Sequence, residues 1–291
     1  MALGTLADKI RLKLGDVSPA ERKVARVLLA GYPSAGFETV AVIAQRAAVS
    51  APTVLRFVNR LGYRGFPDFQ AALRDELDER NASPLSLYEA TDYGRAKGGD
   101  SQAELPLLEQ GSNVFTAAVE QTLTELPPHD FDHAIKLLSD GKRRITLAGG
   151  RFTNLFAQYL GLHLMQTRDE VRFLPDRDVE RTAVLTALNR RDVLVIFDYR
   201  RYEQDKVALA ELVQTQGGKV ILFTDVWLSP ASTHADVVLP AQVTAPSPYD
   251  SLVPTLAIIE TIVAGVLTAL GEGAHQRMRH GEETARRMGL Y

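Results

Sequence analysis

The second half of the chain alternates short apolar runs with segments of helical pattern, and this alternation constrains its fold more than any other feature. A strand buried on both faces is apolar without a period of two, and a helix between two such strands forms the crossover that a parallel pair needs. The pattern therefore predicts an α/β domain with a five-stranded parallel sheet covered by helices. The predicted strands are residues 145–148, 171–174, 193–197, 220–224 and 237–239.

Sheets of this kind bind ligands beyond the carboxyl ends of their strands, in the loops that lead into helices. Two loops fit, residues 149–153 after the first strand and 198–205 after the third. The first loop precedes a helix, whose free N–H groups and dipole attract anions, although its glycine spacing matches neither a dinucleotide fingerprint nor a P-loop. A tight turn explains the glycines equally well. Arg151 and Thr153 favour a ligand site.

The sequence pattern of residues 1–80 predicts helices and no strands. Ser18 followed by Glu21 predicts a capping box. A short helix is expected over 39–47 and a second over 51–61, with Ser50 as its cap. Two short helices joined by a tight turn indicate a helix-turn-helix, whose second helix enters the major groove of DNA.

The charge is divided unevenly between the two halves. The chain as a whole carries −3, but residues 1–80 hold 12 basic and 9 acidic residues and the remainder holds 21 and 27. No acidic residue lies between Glu38 and Asp68. A segment without carboxylates can lie against phosphates without repulsion, which favours nucleic acid as the partner of this half.

The second helix of the predicted pair has one apolar face. Val54, Val58 and Leu61 recur at helical spacing and are expected to face the core. Arginine can bond guanine, asparagine can bond adenine, and threonine can contact a phosphate or a thymine methyl group, although an ordinary solvated face is the alternative. The residues predicted to contact DNA are Ser50, Pro52, Thr53, Arg56, Asn59, Arg60 and Arg64.

The amino-acid composition limits which other functions the chain can have. The absence of cysteine excludes thiolate catalysis, Cys-ligated zinc and iron–sulfur clusters. The histidines include no HExxH spacing. His129 and His133, at i and i+4, could hold a metal, but two helix-surface histidines without an acid partner are more often solvated, so no metal and no cofactor is predicted. The apolar stretch 255–270 is shorter than a membrane span and carries Glu260, and the N-terminus has no signal-peptide pattern, so we expect a cytoplasmic protein without a membrane partner.

Several of these motifs together resemble a known family. They are Ser18-Pro19-Ala20-Glu21, the run from Val49 to Phe57, Leu61-Gly62, and Gly65-Phe66 with Phe69. This set is similar to the N-terminal domain of RpiR/MurR-type bacterial transcription regulators, and the second half resembles the sugar isomerase (SIS) domain that those regulators carry. The resemblance implies a homodimer or homotetramer that binds a double-stranded DNA operator and senses a small-molecule effector, commonly a phosphorylated sugar.

The resemblance also implies an effector site in the two loops, where this chain departs from the usual SIS pattern. SIS domains usually place Gly-x-Gly-x-Ser in the first loop and Ser-x-Ser-Gly-x-Thr in the second, whereas this chain has a charged residue at each matched position of the second loop. We therefore expect an altered effector, and the alternative is a site that has lost its ligand and whose charges pair with one another. The residues predicted to bind the effector are Gly149, Gly150, Arg151, Thr153, Asp198, Arg200, Arg201 and Glu203.

The predicted organisation is a helix-turn-helix domain over 1–80, a linker over 81–107, an SIS-like effector domain over 108–272 and a tail helix over 273–291. Two other functions stay open. An isomerase would need a glutamate or histidine base, for which Glu203, His234 and Glu260 are candidates, but no catalytic residue is predicted, since a helix-turn-helix serves no isomerase. The third possibility is an oligomer that binds DNA without an effector.

Overall fold

The structure, a computed structural model, describes residues 5–90 and 105–290. It divides along the chain into two compact units, with the boundary between Ala82 and Ser83. Each unit has its own hydrophobic core, so each is described separately.

The N-terminal unit is built from helices, as the sequence predicts. Its core contains the fully buried side chains of Ile10, Val24, Ile43 and Phe57. The predicted capping box at Ser18 is confirmed, because Ser18 and Glu21 each bond the backbone N–H of the other. The helices are α1 (Leu6–Lys13), α2 (Pro19–Ala30), α3 (Val40–Arg46), α4 (Ala51–Arg60) and α5 (Phe66–Asn81), with a 3₁₀ turn at Ser34–Phe37.

The turn between α3 and α4 closes by a Schellman motif. The N–H of Val49 donates to the carbonyl of Ala44 at 3.0 Å, and the N–H of Ala48 donates to Gln45 at 3.1 Å. Ala48 takes the left-handed conformation that this motif requires, with φ of 50°. These bonds satisfy the last carbonyls of α3 and fix where α4 begins.

The C-terminal unit contains the predicted five-stranded parallel sheet, in the order β2-β1-β3-β4-β5. Successive side chains of β3 alternate between two cores: Val195 and Phe197 pack with helices on one face, Leu194 and Ile196 with a helix on the other. This double burial explains the continuous apolar runs. The strands are β1 (Arg144–Gly149), β2 (Val171–Phe173), β3 (Asp192–Phe197), β4 (Lys219–Asp225) and β5 (Val237–Ala241).

Eight helices of this unit are described. Pro84–Ala90 form a helix inside the stretch predicted as a linker, while residues 91–104 of that stretch lie outside the described residues. The predicted tail helix is present and begins one residue earlier than expected. The helices are α6 (Pro84–Ala90), α7 (Leu107–Glu125), α8 (Pro128–Ser139), α9 (Asn154–Thr167), α10 (Asp178–Thr186), α11 (Gln204–Thr215), α12 (Val253–Leu270) and α13 (Glu272–Met288), and a 3₁₀ turn spans Pro230–His234.

Helix α12 is, within the described ranges, the one helix whose length and apolar composition would allow it to cross a membrane. In this fold it packs against α7, α8 and α9. Its side chains Ile258, Ile259 and Ile262 are fully buried in the core beside the sheet. A core helix of a globular domain meets the same criterion.

The strand order positions the ligand-binding edge of the sheet. The chain passes from β1 to one neighbour, β2, and then returns to the other side of β1 to form β3. The carboxyl ends of β1 and β3 therefore flank a topological switch point, where open α/β sheets form their crevice. Both loops singled out from the sequence begin at this point.

Candidate nucleic-acid interface and candidate effector pocket

Helix α4 presents one buried face and one polar face. Val54, Phe57 and Val58 are fully buried against the N-terminal core. The polar face is open to solvent, as DNA contact requires. Six of the residues predicted to contact DNA are exposed: Ser50, Pro52, Arg56, Asn59, Arg60 and Arg64.

Thr53 is the exception, and its predicted outward orientation is wrong. It is only 5% exposed, and its Oγ1 accepts a hydrogen bond from Arg56 at 3.0 Å and lies 3.0 Å from Ser50 Oγ. Thr53 lies four residues before Phe57 and therefore shares the buried side of the helix. The hydroxyl of Ser50 is engaged by Thr53 and makes no bond to the helix N-terminus, so the side-chain cap predicted for Ser50 is also wrong.

The arginines on α4 and just after it differ in their partners. Arg60 Nε lies 3.1 Å from Oε1 of Glu21, a carboxylate that is 3% exposed, and Arg64 pairs with Asp68 at 3.4 Å. Burial by itself raises the pKa of Glu21, but hydrogen bonds from Ser18 and the charge of Arg60 outweigh it and hold that pKa below its usual value. Within the described part of the chain, Arg56 has no ion-pair partner. Arg56 is therefore the most available cation on the helix.

The candidate effector pocket is a cavity of about 340 Å³ at the carboxyl ends of β1 and β3. Its lining includes three cations and three carboxylates, so its formal charges balance. The lining residues are Ala148, Gly149, Gly150, Arg151, Asn154, Leu174, Asp176, Arg181, Glu203, Asp205 and Lys206.

The loop after β1 forms one wall and is locked by Thr153. A Cβ on Gly149 would lie 2.5 Å from the backbone of Asn154, so only glycine fits where the strand turns into α9. The buried Thr153 hydroxyl accepts from the N–H of Gly150 at 2.7 Å and donates to the carbonyl of Phe197 at 2.8 Å. These bonds tie the loop to the end of β3.

Glu203 forms the opposite wall, at the residue that precedes α11. Its Oε1 accepts from the N–H of Arg151 at 3.2 Å, and its Oε2 accepts from Lys206 Nζ at 2.8 Å. Lys206 is 4% exposed and also bonds Asp205 at 2.9 Å. Burial by itself lowers the pKa of Lys206, but hydrogen bonds to Glu203 and Asp205 outweigh it and raise that pKa above its usual value. A charged lysine therefore lies under the pocket.

The other predicted residues of the second loop point elsewhere. Asp198 is 2% exposed and accepts hydrogen bonds from Ser229 Oγ and the N–H of Glu203, and burial raises its pKa to about 6. Arg200 pairs with Asp250 and lies over the Trp227 ring, 5.2 Å from its centroid. Arg201 is exposed at a φ of 64°. Of the eight predicted effector residues, Gly149, Gly150, Arg151 and Glu203 line the cavity.

The sequence reasoning missed several charged lining residues, of which Lys206 had a detectable signal. Lys206 occupies the position that begins the apolar face of α11, ahead of Leu209, Ala210 and Val213, all of which are buried. A lysine at that spacing indicates a buried cation with an acidic partner. Asp176 and Arg181 carried no such signal, because they reach the pocket from the β2 side of the sheet.

Metal ligation has no support in the described residues. Among residues 5–90 and 105–290, no group of three or more His, Asp or Glu side chains could hold a metal ion.

Comparison with known proteins matches both units to families. Residues 4–80 match the family described as the helix-turn-helix domain, rpiR family, and residues 137–265 match the SIS domain family. The chain is 26% identical over 285 residues to the HTH-type transcriptional regulator HexR of Pseudomonas aeruginosa, covering 96% of this chain and 95% of that protein.

Two solved structures share the fold. The sugar isomerase domain of an RpiR transcription factor from Sphaerobacter thermophilus is 23% identical with a TM-score of 0.56, covering 61% of this chain and 98% of that one. The NanR protein of Vibrio vulnificus, complexed with ManNAc-6P, is 16% identical with a TM-score of 0.52, covering 98% of this chain and 99% of that one.

Proposed function

Because the chain belongs to the rpiR family of helix-turn-helix transcriptional regulators and carries a SIS domain, we propose that its SIS domain binds a small polar metabolite and thereby modulates binding of the N-terminal unit to a DNA operator. The observation that carries the DNA half is the face of α4, on which Arg56 and Asn59 are exposed directly after the helix-turn-helix turn. Arginine and asparagine are the side chains that read guanine and adenine edges.

Substitution of Arg56 tests this assignment. We expect Arg56→Ala to weaken operator binding by about 1–3 kcal/mol if the guanidinium contacts a base edge. A footprint on the DNA flanking the protein's own gene supplies the operator, and gel shifts at fixed salt concentration measure the affinity.

Arg74→Ala is the matched control, because Arg74 is an exposed arginine of α5 outside the helix-turn-helix. It removes the same charge and should leave the affinity nearly unchanged. Equal losses for the two variants would show that net charge, and not the α4 face, controls binding.

The effector half of the proposal rests on the cavity. Its position at the switch point and its two glycines fit a small polar or anionic ligand such as the sugar phosphate that the SIS resemblance implies, whereas its balanced charged lining favours an altered ligand. The sugar phosphate in the NanR structure supports a small-molecule role for this type of fold. The mutual pairing of the lining charges favours one competing view, an oligomer that binds DNA without an effector.

Calorimetry against a panel of polar metabolites separates these views. Saturable binding that is lost when Arg151 and Arg181 are both changed to Ala supports the pocket, because these two guanidinium groups line it. Saturable binding unaffected by the double change would reject the pocket, and silence across the panel would favour the effector-independent oligomer.

We propose a cytoplasmic homodimer or homotetramer. An exposed apolar stripe on and just before α9 supports self-association, since such stripes on soluble proteins mark contact surfaces. The stripe comprises Phe152, Leu155, Tyr159 and Leu162. Sedimentation of the wild type and of Leu155→Ser/Leu162→Ser measures the oligomeric state.

A further inference from the structure

The cations of the pocket are already neutralised. Arg151 lies 3.9 Å from Glu203, Lys206 bonds both Glu203 and Asp205, and Arg181 bonds Asp205 at 2.8 Å. An anionic ligand therefore meets no cation without a carboxylate beside it. It would have to displace a carboxylate that belongs to the protein.

Glu203 also occupies the place that a bound anion would take on the β1 loop. A backbone N–H directed into a pocket ahead of a helix is a donor that an anionic ligand uses. Here the N–H of Arg151 donates to Oε1 of Glu203. The same oxygen lies only 2.9 Å from the point where a Cβ on Gly150 would be, so the carboxylate lies against the loop backbone.

Three contacts hold Glu203 in this position. Its own N–H donates to the buried Asp198 carboxylate, and its Oε2 accepts from Lys206, whose ammonium group is itself buried. Its Oε1 is held by the loop. Its side chain is 31% exposed, so it still faces the cavity.

We propose that Glu203 is a built-in anion that determines the specificity of this pocket: it excludes ligands with a phosphate or sulfate dianion and admits polar ligands that bring hydroxyl or ammonium donors. This inference rests on the proposed effector pocket. Hydroxyl and ammonium groups can donate to Glu203 and to the exposed Asp176, whereas a dianion placed at the loop is repelled by Glu203 at hydrogen-bond range.

Removing the charge of Glu203 should open the site to phosphate. Glu203→Gln keeps the size of the side chain and an oxygen that can accept from the Arg151 N–H, while it leaves Arg151 without its carboxylate and Lys206 with one carboxylate fewer. We expect inorganic phosphate and a hexose 6-phosphate to bind Glu203→Gln at least about tenfold tighter than the wild type, measured by titration calorimetry at constant ionic strength.

Glu211→Gln is the matched control. Glu211 lies on α11, the helix that Glu203 precedes. It is exposed and does not line the cavity, so this variant removes one negative charge from α11 without altering the pocket. Its phosphate affinity should equal that of the wild type. Glu203→Ser provides a second variant without the carboxylate, and the fluorescence of Trp227, the single tryptophan, verifies that each variant is folded.

Two results would overturn the inference: phosphate binding by Glu203→Gln no tighter than by the wild type, or wild-type binding of the hexose 6-phosphate as tight as that of Glu203→Gln. Gel shifts on the same preparations test the regulator function separately. If the wild type binds no DNA specifically while Glu203→Gln gains phosphate binding, the regulator function is rejected and the pocket inference is kept. If the wild type binds its operator while Glu203→Gln gains no phosphate binding, the pocket inference is rejected and the regulator function is kept.

Discussion

On α4, the exposed Arg56 bonds the Thr53 hydroxyl and has no ion-pair partner in the described part of the chain, whereas Arg151 and Arg181 at the pocket each face a carboxylate, Glu203 and Asp205. Arginine side chains thus have opposite electrostatic roles in the two units. The α4 face leaves Arg56 unneutralised, although Arg60 on the same helix is paired with Glu21, and an unneutralised cation attracts a polyanion. A pocket that neutralises its cations selects a ligand by the geometry of its hydrogen bonds.

Salt concentration offers the largest expected contrast between the two sites. If three cations of each protomer in a dimer, Arg60 and Arg64 among them, contact phosphates, about six contacts form, and DNA affinity should fall about 1,000-fold between about 50 and 200 mM salt. The balanced pocket should change its ligand affinity by less than about threefold over the same range.

Gel shifts and calorimetry in matched buffers measure both quantities. A DNA affinity that varies as little as the ligand affinity would remove the contrast and with it the proposed phosphate contacts of the α4 face.

The two units also shift the pKa of a buried carboxylate in opposite directions. Glu21 accepts hydrogen bonds and faces Arg60, so its pKa is held below the usual value despite burial. Asp198 has two hydrogen-bond donors and no adjacent guanidinium, and burial dominates, raising its pKa to about 6. For Glu21 the hydrogen bonds from Ser18, together with the charge of Arg60, decide the direction of the pKa shift, and for Asp198 desolvation decides it.

This difference predicts a pH effect confined to the C-terminal unit. Because the pKa of Asp198 is raised in the folded state, the folded protein binds this proton more tightly than the unfolded chain, so stability rises as the pH falls from 7 to 5. Asp198 should contribute about 1 kcal/mol of that rise, and Asp198→Asn should remove it. Urea unfolding followed by Trp227 fluorescence at both pH values measures the change.

Asp132→Asn, at an exposed position of α8, is the control and should retain the full rise. Glu21 does not interfere, because the stability from a lowered carboxylate pKa is lost only below its usual pKa, outside this pH range. If the stability of Asp198→Asn rose as much between pH 7 and pH 5 as that of the wild type, Asp198 would not be the source of the pH effect.

The turns at the two sites differ as well, and this gives the smallest predicted effect. The loop after β1 has glycine at the position that no Cβ fits, whereas the helix-turn-helix turn has Ala48 at a positive φ. Replacing Ala48 by glycine should relieve its backbone strain and stabilise the N-terminal unit by about 0.5–1 kcal/mol. Calorimetric melting measures this stability.

Ala47→Gly is the control for that substitution. Ala47 has a helical φ of −82°, so glycine there should destabilise the unit. Trp227 lies in the other unit, and its fluorescence transition should be the same for both variants. A destabilised Ala48→Gly would contradict the role of the left-handed turn.

Much of the fold followed from local patterns in the sequence. The capping box at Ser18 and Glu21, the alternation that predicts the parallel sheet, and the positions of the two loops depend on short-range spacing, and the structure confirms them. The errors came from side chains on the boundary of a face. Thr53 has the polarity of a surface residue, but its place one turn before Phe57 puts it in the core.

The candidate pocket was only partly predictable. Gly149, Gly150, Arg151 and Glu203 lie in loops that the strand pattern located. The sequence alone also set the family resemblance, the absence of thiol chemistry and the division of charge between the two halves.

Only the tertiary structure decided which charges meet. Arg151 and Glu203 are far apart in sequence, and they become neighbours because β1 and β3 pair in parallel and bring their carboxyl ends to one edge. Arg200, which stands three residues before Glu203, turns instead toward Asp250 and Trp227. Sequence spacing fixes contacts within a helix or a strand, but an ion pair across a sheet edge depends on strand order and on the side chains already buried there.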